Sequence, residues 1–383
     1  MCLFYLLLID FQQRQFKRFL PSILLLSVAF SIGYDIIQYK HFLKFGYQKP
    51  LLLYILGVMV LTLLVIFRNK LKVIFVLCEL YSIFHYAVSI YYFPLVIARS
   101  DMLAAVAASI NQFLHNVSPY YQSSVNIGIP PYLPVTMLSF IPASLLKLDF
   151  RLVGLFYWIL AIGLITYKQH TFSTIQKMAL CLLIVNPYFL MRHDLYFQCF
   201  LLEIVILCLY FSSFNFIIKG IFLGFFIATL QFAWILYPFI LLAENKSIKN
   251  LVIMLLVSLI VGISISLLYV HNGISDFFHA IFLHKEYFSP YSSDITFGLS
   301  TIFYFANSQI LLYIVQIAIC VLILLTAIYS HMIKRIHTHN YYTSLSAICY
   351  LIFMSTNYFI ETYLLIPMLL FLILSLNHSD TIN

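Results

Sequence analysis

Residues 251–270 read LVIMLLVSLIVGISISLLYV, an unbroken run without a single charge. A helix of about 20 apolar residues rises about 30 Å, the thickness of a bilayer's hydrocarbon core. The run is therefore a candidate membrane span, and the same reading recurs outward along the chain. Further apolar runs occupy 19–37, 51–67, 71–98, 152–167, 178–191, 195–214, 310–329, 341–354 and 360–375. Composition agrees with this. Of 383 residues, 63% are hydrophobic and only 9% are charged, with a mean hydropathy of +1.00. A soluble domain carries roughly 25% charged residues, so too few remain here to cover a water-facing surface. The sequence predicts an all-α polytopic membrane protein. Its net charge of +8 reads as helix-end lysines and arginines that set orientation, and not as a nucleic-acid signal. The 37 Phe and 29 Tyr suit lipid-facing and interfacial positions.

Two segments resist simple counting. Residues 220–243 are interrupted by Gln231 and Pro238, and read either as one span or as two half-helices meeting at the outer face. Residues 130–150 carry Pro130, Pro131, Pro134 and Pro142, and read as a re-entrant or juxtamembrane element returning to the outer face. With a cytoplasmic N-terminus, this arrangement puts thirteen of the 21 basic residues inside, as the positive-inside rule expects. Lys40, Lys44 and Lys49 are the exception. Of the 13 acids, eight fall outside and two, Glu79 and Glu203, lie within helices. An ionisable group inside a membrane helix is a functional candidate by default, although it can also be neutral or paired. The organisation expected is a helical segment over 1–98, an outer loop over 99–151, and a bundle over 152–383 with a second outer loop at 271–307. The seven cysteines form no CxxC pair and read as small buried hydrophobes rather than ligands or bridges.

The first outer loop holds the chemistry. Asp101 sits at the N-cap of a helix in which Leu103, Val106, Ile110, Phe113 and Leu114 recur at helical spacing. That pattern predicts an amphipathic helix lying at the membrane interface. Asp101 has two readings here: a cap and nothing more, or a catalytic carboxylate at the level of a lipid headgroup.

SDMLAAVAASINQFLHNVSPYYQ (100–122) and GIPPYLPVTMLSFIPASLLKLDFRL (128–152) resemble the first outer loop of GT-C glycosyltransferases. In that family an Asp after a membrane helix precedes an amphipathic helix, a "PY" turn and a Pro-rich segment. The resemblance is to the bacterial branch containing polyprenol-phosphate-mannose-dependent mannosyltransferases. NPYFLMRHDLYFQCFLLEIVIL (186–207), KGIFLGFFIATLQFAWILYPFILLAE (219–244) and TNYFIETYLLIPMLL (356–370) are similar to later segments of the same branch. The resemblance implies a bundle of about 11–13 membrane helices, each near 20 residues. It implies transfer of a hexose such as mannose from a polyprenyl-phosphate sugar to an outer glycan or glycolipid acceptor, at a bacterial plasma membrane with the site facing outside. Asp101 is then the general base. Asp194, Arg192, His193, Tyr120, Gln231, His284 and Lys285 are the candidate substrate-binding residues. No cofactor beyond the lipid-linked donor is expected, and no metal ligand is assigned.

The chain departs from the family in four places. Asn116 replaces a Gly before the "PY" turn, and Arg192–His193 replaces a Gly–Gln pair. Gln231 stands where a Lys or Arg often meets the donor phosphate, and three helices rather than one precede Asp101. Arg192, His193, His284 or Lys285 can supply the missing positive charge. Each has a plainer reading: Arg192–His193–Asp194 can cap the helix that follows, and His284–Lys285 can be solvated loop. Two other classes compete with the transferase. An O-antigen-polymerase-like protein would rely on outer-loop arginines, of which only Arg99, Arg151 and Arg192 are present. A transporter would show paired broken helices in related halves, and the sequence carries no evident repeat.

Overall fold

In the computed structural model of the protein, the described residues are 51–67, 70–92, 101–120, 133–168, 201–213, 215–229, 233–244, 248–282 and 309–332, with isolated positions at 26, 29, 177, 180–181, 184–185 and 345. Among them every regular element is an α-helix. In chain order these are α1 (Leu51–Ile66), α2 (Leu71–Tyr92), α3 (Asp101–Leu114), α4 (Pro134–Leu138), α5 (Ile141–Leu145) and α6 (Arg151–Lys168). There follow α7 (Leu201–Ser212), α8 (Phe216–Ile227), α9 (Ala233–Ala243), α10 (Ile248–Val270), α11 (Ile274–Phe282) and α12 (Gln309–Met332). Two segments, Lys72–Tyr91 and Ile248–Val270, are long and apolar enough to cross a membrane. The expected runs at 19–37, 341–354 and 360–375 lie outside the described residues. The chain divides into two compact units, residues 1–100 with 154–198, and residues 101–153 with 199–383.

In the first unit α1 and α2 pack together across a tight corner. Phe67 N donates to Leu63 O and Lys70 N to Phe67 O, while the Lys70 ammonium lies 5.7 Å from the Phe67 ring centroid. Val60, Leu64, Ile74, Phe75, Cys78 and Tyr81 are buried. So is a polar line on α2 made by Glu79, Ser82, His85 and Ser89, which recur at three- and four-residue spacing and share one helix face. Polar groups on such a face need partners, and α6 supplies two. Trp158 Nε1 donates to Ser82 Oγ at 2.6 Å, and Thr166 Oγ1 donates to Glu79. Glu79 is thus a hydrogen-bonded core acid.

The second unit is built on α10, whose lower half packs on α8 and whose upper half meets α3, α4 and α11. Glycine permits the first contact. A Cβ on Gly224 would come within 2.6 Å of Val261 Cβ and 2.8 Å of Ser258 O, so only a residue without one lets the backbones approach this closely. Asn215 caps α8 by accepting from Ile217 N at 2.8 Å. α9 returns antiparallel to α8 and buries Phe239 and Ala243 against Ala327 of α12. Cys78, Cys181, Cys208 and Cys320 are thiols, the first three buried, in keeping with the reading of cysteines as small hydrophobes.

The ambiguity at 220–243 has an answer here. A single span would carry Lys219 and Glu244 to opposite ends of a helix about 37 Å long. Instead Lys219 Nζ and Glu244 Oε1 form a buried ion pair. Tyr210 OH donates to the same carboxylate oxygen at 2.7 Å, and its ring lies 4.9 Å below the ammonium. Residues 220–243 therefore form a hairpin of half-helices. With 12 residues in α8, that half-helix is about 18 Å long.

Candidate functional site at the interfacial helix and the broken-helix junction

α3 begins at Asp101, one position later than an N-cap would stand, within the one or two residues by which helix ends are ordinarily defined. The expected apolar stripe is largely present: Leu103, Val106 and Ile110 are buried. Leu114, the last residue of the helix, is not, at 40% exposure. Ser109, on the buried face, ties the loop together. Its hydroxyl donates to Pro119 O at 2.7 Å and lies 3.0 Å from Tyr269 OH.

That clasp folds the Pro119–Tyr120 turn back onto α3 and the top of α10. Asn116 reaches it with φ of 57°, a left-handed value that glycine adopts freely and asparagine tolerates. The chain therefore accommodates Asn where the resembling family has Gly. Asn272 Nδ2 donates to Asn116 O at 3.1 Å, which joins this turn to the one after α10. Close approach also explains Gly273, whose Cβ would stand 2.1 Å from Ser118 Oγ.

Tyr120 was expected to bind substrate. Its side chain is 1% exposed and packs edge-on against Tyr269 (6.0 Å) and Phe277 (5.2 Å). Phe113 stacks on Tyr269 at 4.8 Å. Tyr120 thereby joins α3, α10 and α11 in one cluster. Arg192, His193, Asp194, Gln231, His284 and Lys285 lie outside the described residues.

The Pro-rich segment forms two short helices, α4 and α5, each with a proline in its first turn. Proline there lacks an N–H that would be unbonded anyway. The start of α4 meets the end of α8: Leu133 N donates to Thr229 O (3.0 Å), Val135 N to Ala228 O (2.8 Å), and Thr136 Oγ1 to Thr229 O (2.9 Å). Each helix end satisfies the other's orphan groups, so α8 and α4 form one interrupted helix beside α10. The segment closes on Asp149 and Arg151, whose guanidinium forks the carboxylate with Nε at 3.0–3.1 Å and Nη2 at 2.5 Å. Burial pushes the Asp149 carboxyl up, but the hydrogen bonds and charge of Arg151 outweigh it and hold it below the usual carboxylate range.

Glu203, on α7, is 2% exposed, and neither carboxylate oxygen makes a well-formed hydrogen bond. Thr229 is a polar neighbour whose hydroxyl is directed instead to Phe226 O at 2.6 Å. Among the described residues no group of three or more His, Cys, Asp or Glu could hold a metal ion. Sequence reasoning marked Glu203 but missed the Lys219–Glu244–Tyr210 network and the Ser109 clasp. A buried serine in an alanine-rich helix carries no signal that its partner lies 160 positions away. No protein-family model matches the chain, and no curated protein or solved structure matches it.

Proposed function

We propose that the chain is a multi-pass membrane glycosyltransferase with a GT-C-like bundle, acting at the outer face of a bacterial plasma membrane on a polyprenyl-phosphate hexose. The observation that carries the reading is the ensemble around α3. A helix opening at Asp101, a Pro119–Tyr120 turn clasped to it by Ser109, and a Pro-rich helical segment beside it are the parts that the resemblance to that family requires, in its order. The membrane setting is supported by α10, which turns Leu256, Ile260, Ile263 and Leu268 outward at 53–70% exposure. Such an apolar face is stable against lipid and not against water.

In the proposed reaction the Asp101 carboxylate accepts the proton of an acceptor hydroxyl as its oxygen bonds to C1 of the sugar. The C1–O bond to phosphate breaks, and polyprenyl phosphate leaves with the bonding pair. Positive side chains must neutralise that phosphate; Arg192, His193, His284 and Lys285 are the candidates, with Asp194 orienting the acceptor. Asp101→Asn keeps the shape and the capping capacity of the side chain but cannot take a proton. It should lower sugar transfer by about 10²-fold or more with expression unchanged. The measurement is transfer from radiolabelled polyprenyl-phosphate sugars to a panel of acceptors in membranes; near-normal turnover by Asp101→Asn would reduce the residue to a helix cap.

A further inference from the structure

The transferase reading leaves one group unused, the orphan acid of α7. α7 and α8 pack side by side, and α7 ends at Ser212 only three positions before the Asn215 cap of α8, so distances along each can be measured from neighbouring ends. Glu203 stands about 14 Å up α7 from Ser212, and the turn at Thr229 about 18–20 Å up α8, at 1.5 Å per residue. In the proposed membrane setting, with the neighbouring ends of α7 and α8 at one face, both would lie near the middle of a hydrocarbon layer about 30 Å thick. This is the level at which α8 stops, and where α4 takes over through the Leu133, Val135 and Thr136 bonds.

A carboxylate there without a partner is the costly form of the side chain. Among the described residues, the charged groups on the helices packed around it do not reach it. Lys219 of α8 is bound to Glu244, which follows α9, and to Tyr210, about 15 Å of helix away from Thr229. α10 contributes only Lys249, in its first turn at the same remote end. Tyr237 of α9 is paired with Ser258 at 2.5 Å. Among the described residues, what stands beside Glu203 is the hydroxyl of Thr229, at the end of α8. In membrane proteins, buried acids and interrupted helices both mark proton and ion pathways.

We propose that Glu203, with Thr229 beside it, is a binding site for a small monovalent cation, a proton or Na⁺, whose occupancy is linked to the joining of α8 and α4. When the site is filled, the carboxyl is neutralised and the interrupted helix stays closed. When it empties, the charged carboxylate draws in water at the junction. The inference rests on the membrane setting and not on sugar transfer, so its failure leaves the transferase reading standing.

The test uses the full chain in native membranes and dicyclohexylcarbodiimide. This apolar reagent adds the O–H of a neutral carboxylic acid across its N=C bond, and the adduct rearranges to a stable acylurea detected by peptide mass spectrometry. Glu203 should be labelled, with labelling falling at least several-fold as pH rises from about 5 to 9. Protection by Na⁺ but not by choline identifies Na⁺ as the ligand; absence of protection identifies the proton. A second readout is the reaction of Ala228→Cys with a small maleimide, in a background lacking the native cysteines. It should quicken when the site empties, and lose that response when Glu203→Gln is added. Absence of label on Glu203, or labelling indifferent to both pH and Na⁺, would overturn the proposal, as would an Ala228→Cys response that survives Glu203→Gln.

Discussion

Lys219 and Glu244 lie 25 positions apart and touch, which makes them the most informative pair in the chain. An ion pair excluded from water is strong only while both partners are present. Lys219→Met removes the cation from the buried Glu244 carboxylate and should destabilise the protein by about 3–5 kcal/mol. Adding Glu244→Gln should recover most of that loss, because the buried charge is gone and Tyr210 keeps an acceptor. Thermal unfolding in detergent separates the cases, and equal losses in the single and double variants would show that the pair is uncoupled. Asp149 behaves differently, being half-buried with its carboxyl held low by Arg151. Its contribution is present above the ordinary value of 3.8 and is lost as pH falls through the depressed one. Asp149→Asn should therefore cost under about 1 kcal/mol at neutral pH and nothing in strong acid, as read from unfolding at pH 7 and pH 2. The ionisable residues were all visible in the sequence. Their partners were not, since the same lysine serves equally well as a helix-end charge or as half of a buried pair.

At the scale of elements, the breaks were legible and their consequences were not. Pro134, Pro142 and the polar interruption near Gln231 announce that helices stop, because proline removes a donor and Gln231 is a poor resident of lipid. That the end of α8 should be capped by the start of α4, with Thr136 bonded to a carbonyl 93 positions away, follows from no local pattern. The glycines give a sharp test. Gly224→Ala drives a methyl into Val261 and the Ser258 carbonyl, and should cost about 1–3 kcal/mol by forcing α8 from α10. Gly163 on α6 has nothing within 4 Å of an added Cβ, so Gly163→Ala should be neutral, or stabilising by up to about 1 kcal/mol through helix propensity. If the two substitutions had the same effect on thermal stability, close packing of α8 on α10 would not be what Gly224 provides.

For the whole molecule, the consequential statement is which ends share a side of the membrane. α10 separates residue 246 from residue 272, and the Asn272–Asn116 bond keeps the turn after α3 with the upper end of α10. Cysteines introduced singly as Lys246→Cys, Asn272→Cys and Asn116→Cys, in a cysteine-free background, should divide accordingly. Positions 272 and 116 should react with an impermeant maleimide in intact cells, and position 246 only after permeabilisation. Reaction of 246 and 272 from the same side would remove α10 as a span, and with it the membrane reading of the second unit.

Hydropathy alone pointed to helices, two of them long and apolar enough to cross a membrane, because burial preference is a property of each residue and its near neighbours. The interrupted segments and the start of the amphipathic helix at Asp101 were equally local, written in proline placement and in the spacing of Leu103, Val106 and Ile110. Only the tertiary structure decided that 220–243 is a hairpin, that Tyr120 packs inward, and that Glu203 faces a helix junction without a partner. Those outcomes depend on contacts between segments far apart in the chain. An apolar sequence permits many such pairings, and close packing at glycines together with satisfaction of buried polar groups selects among them.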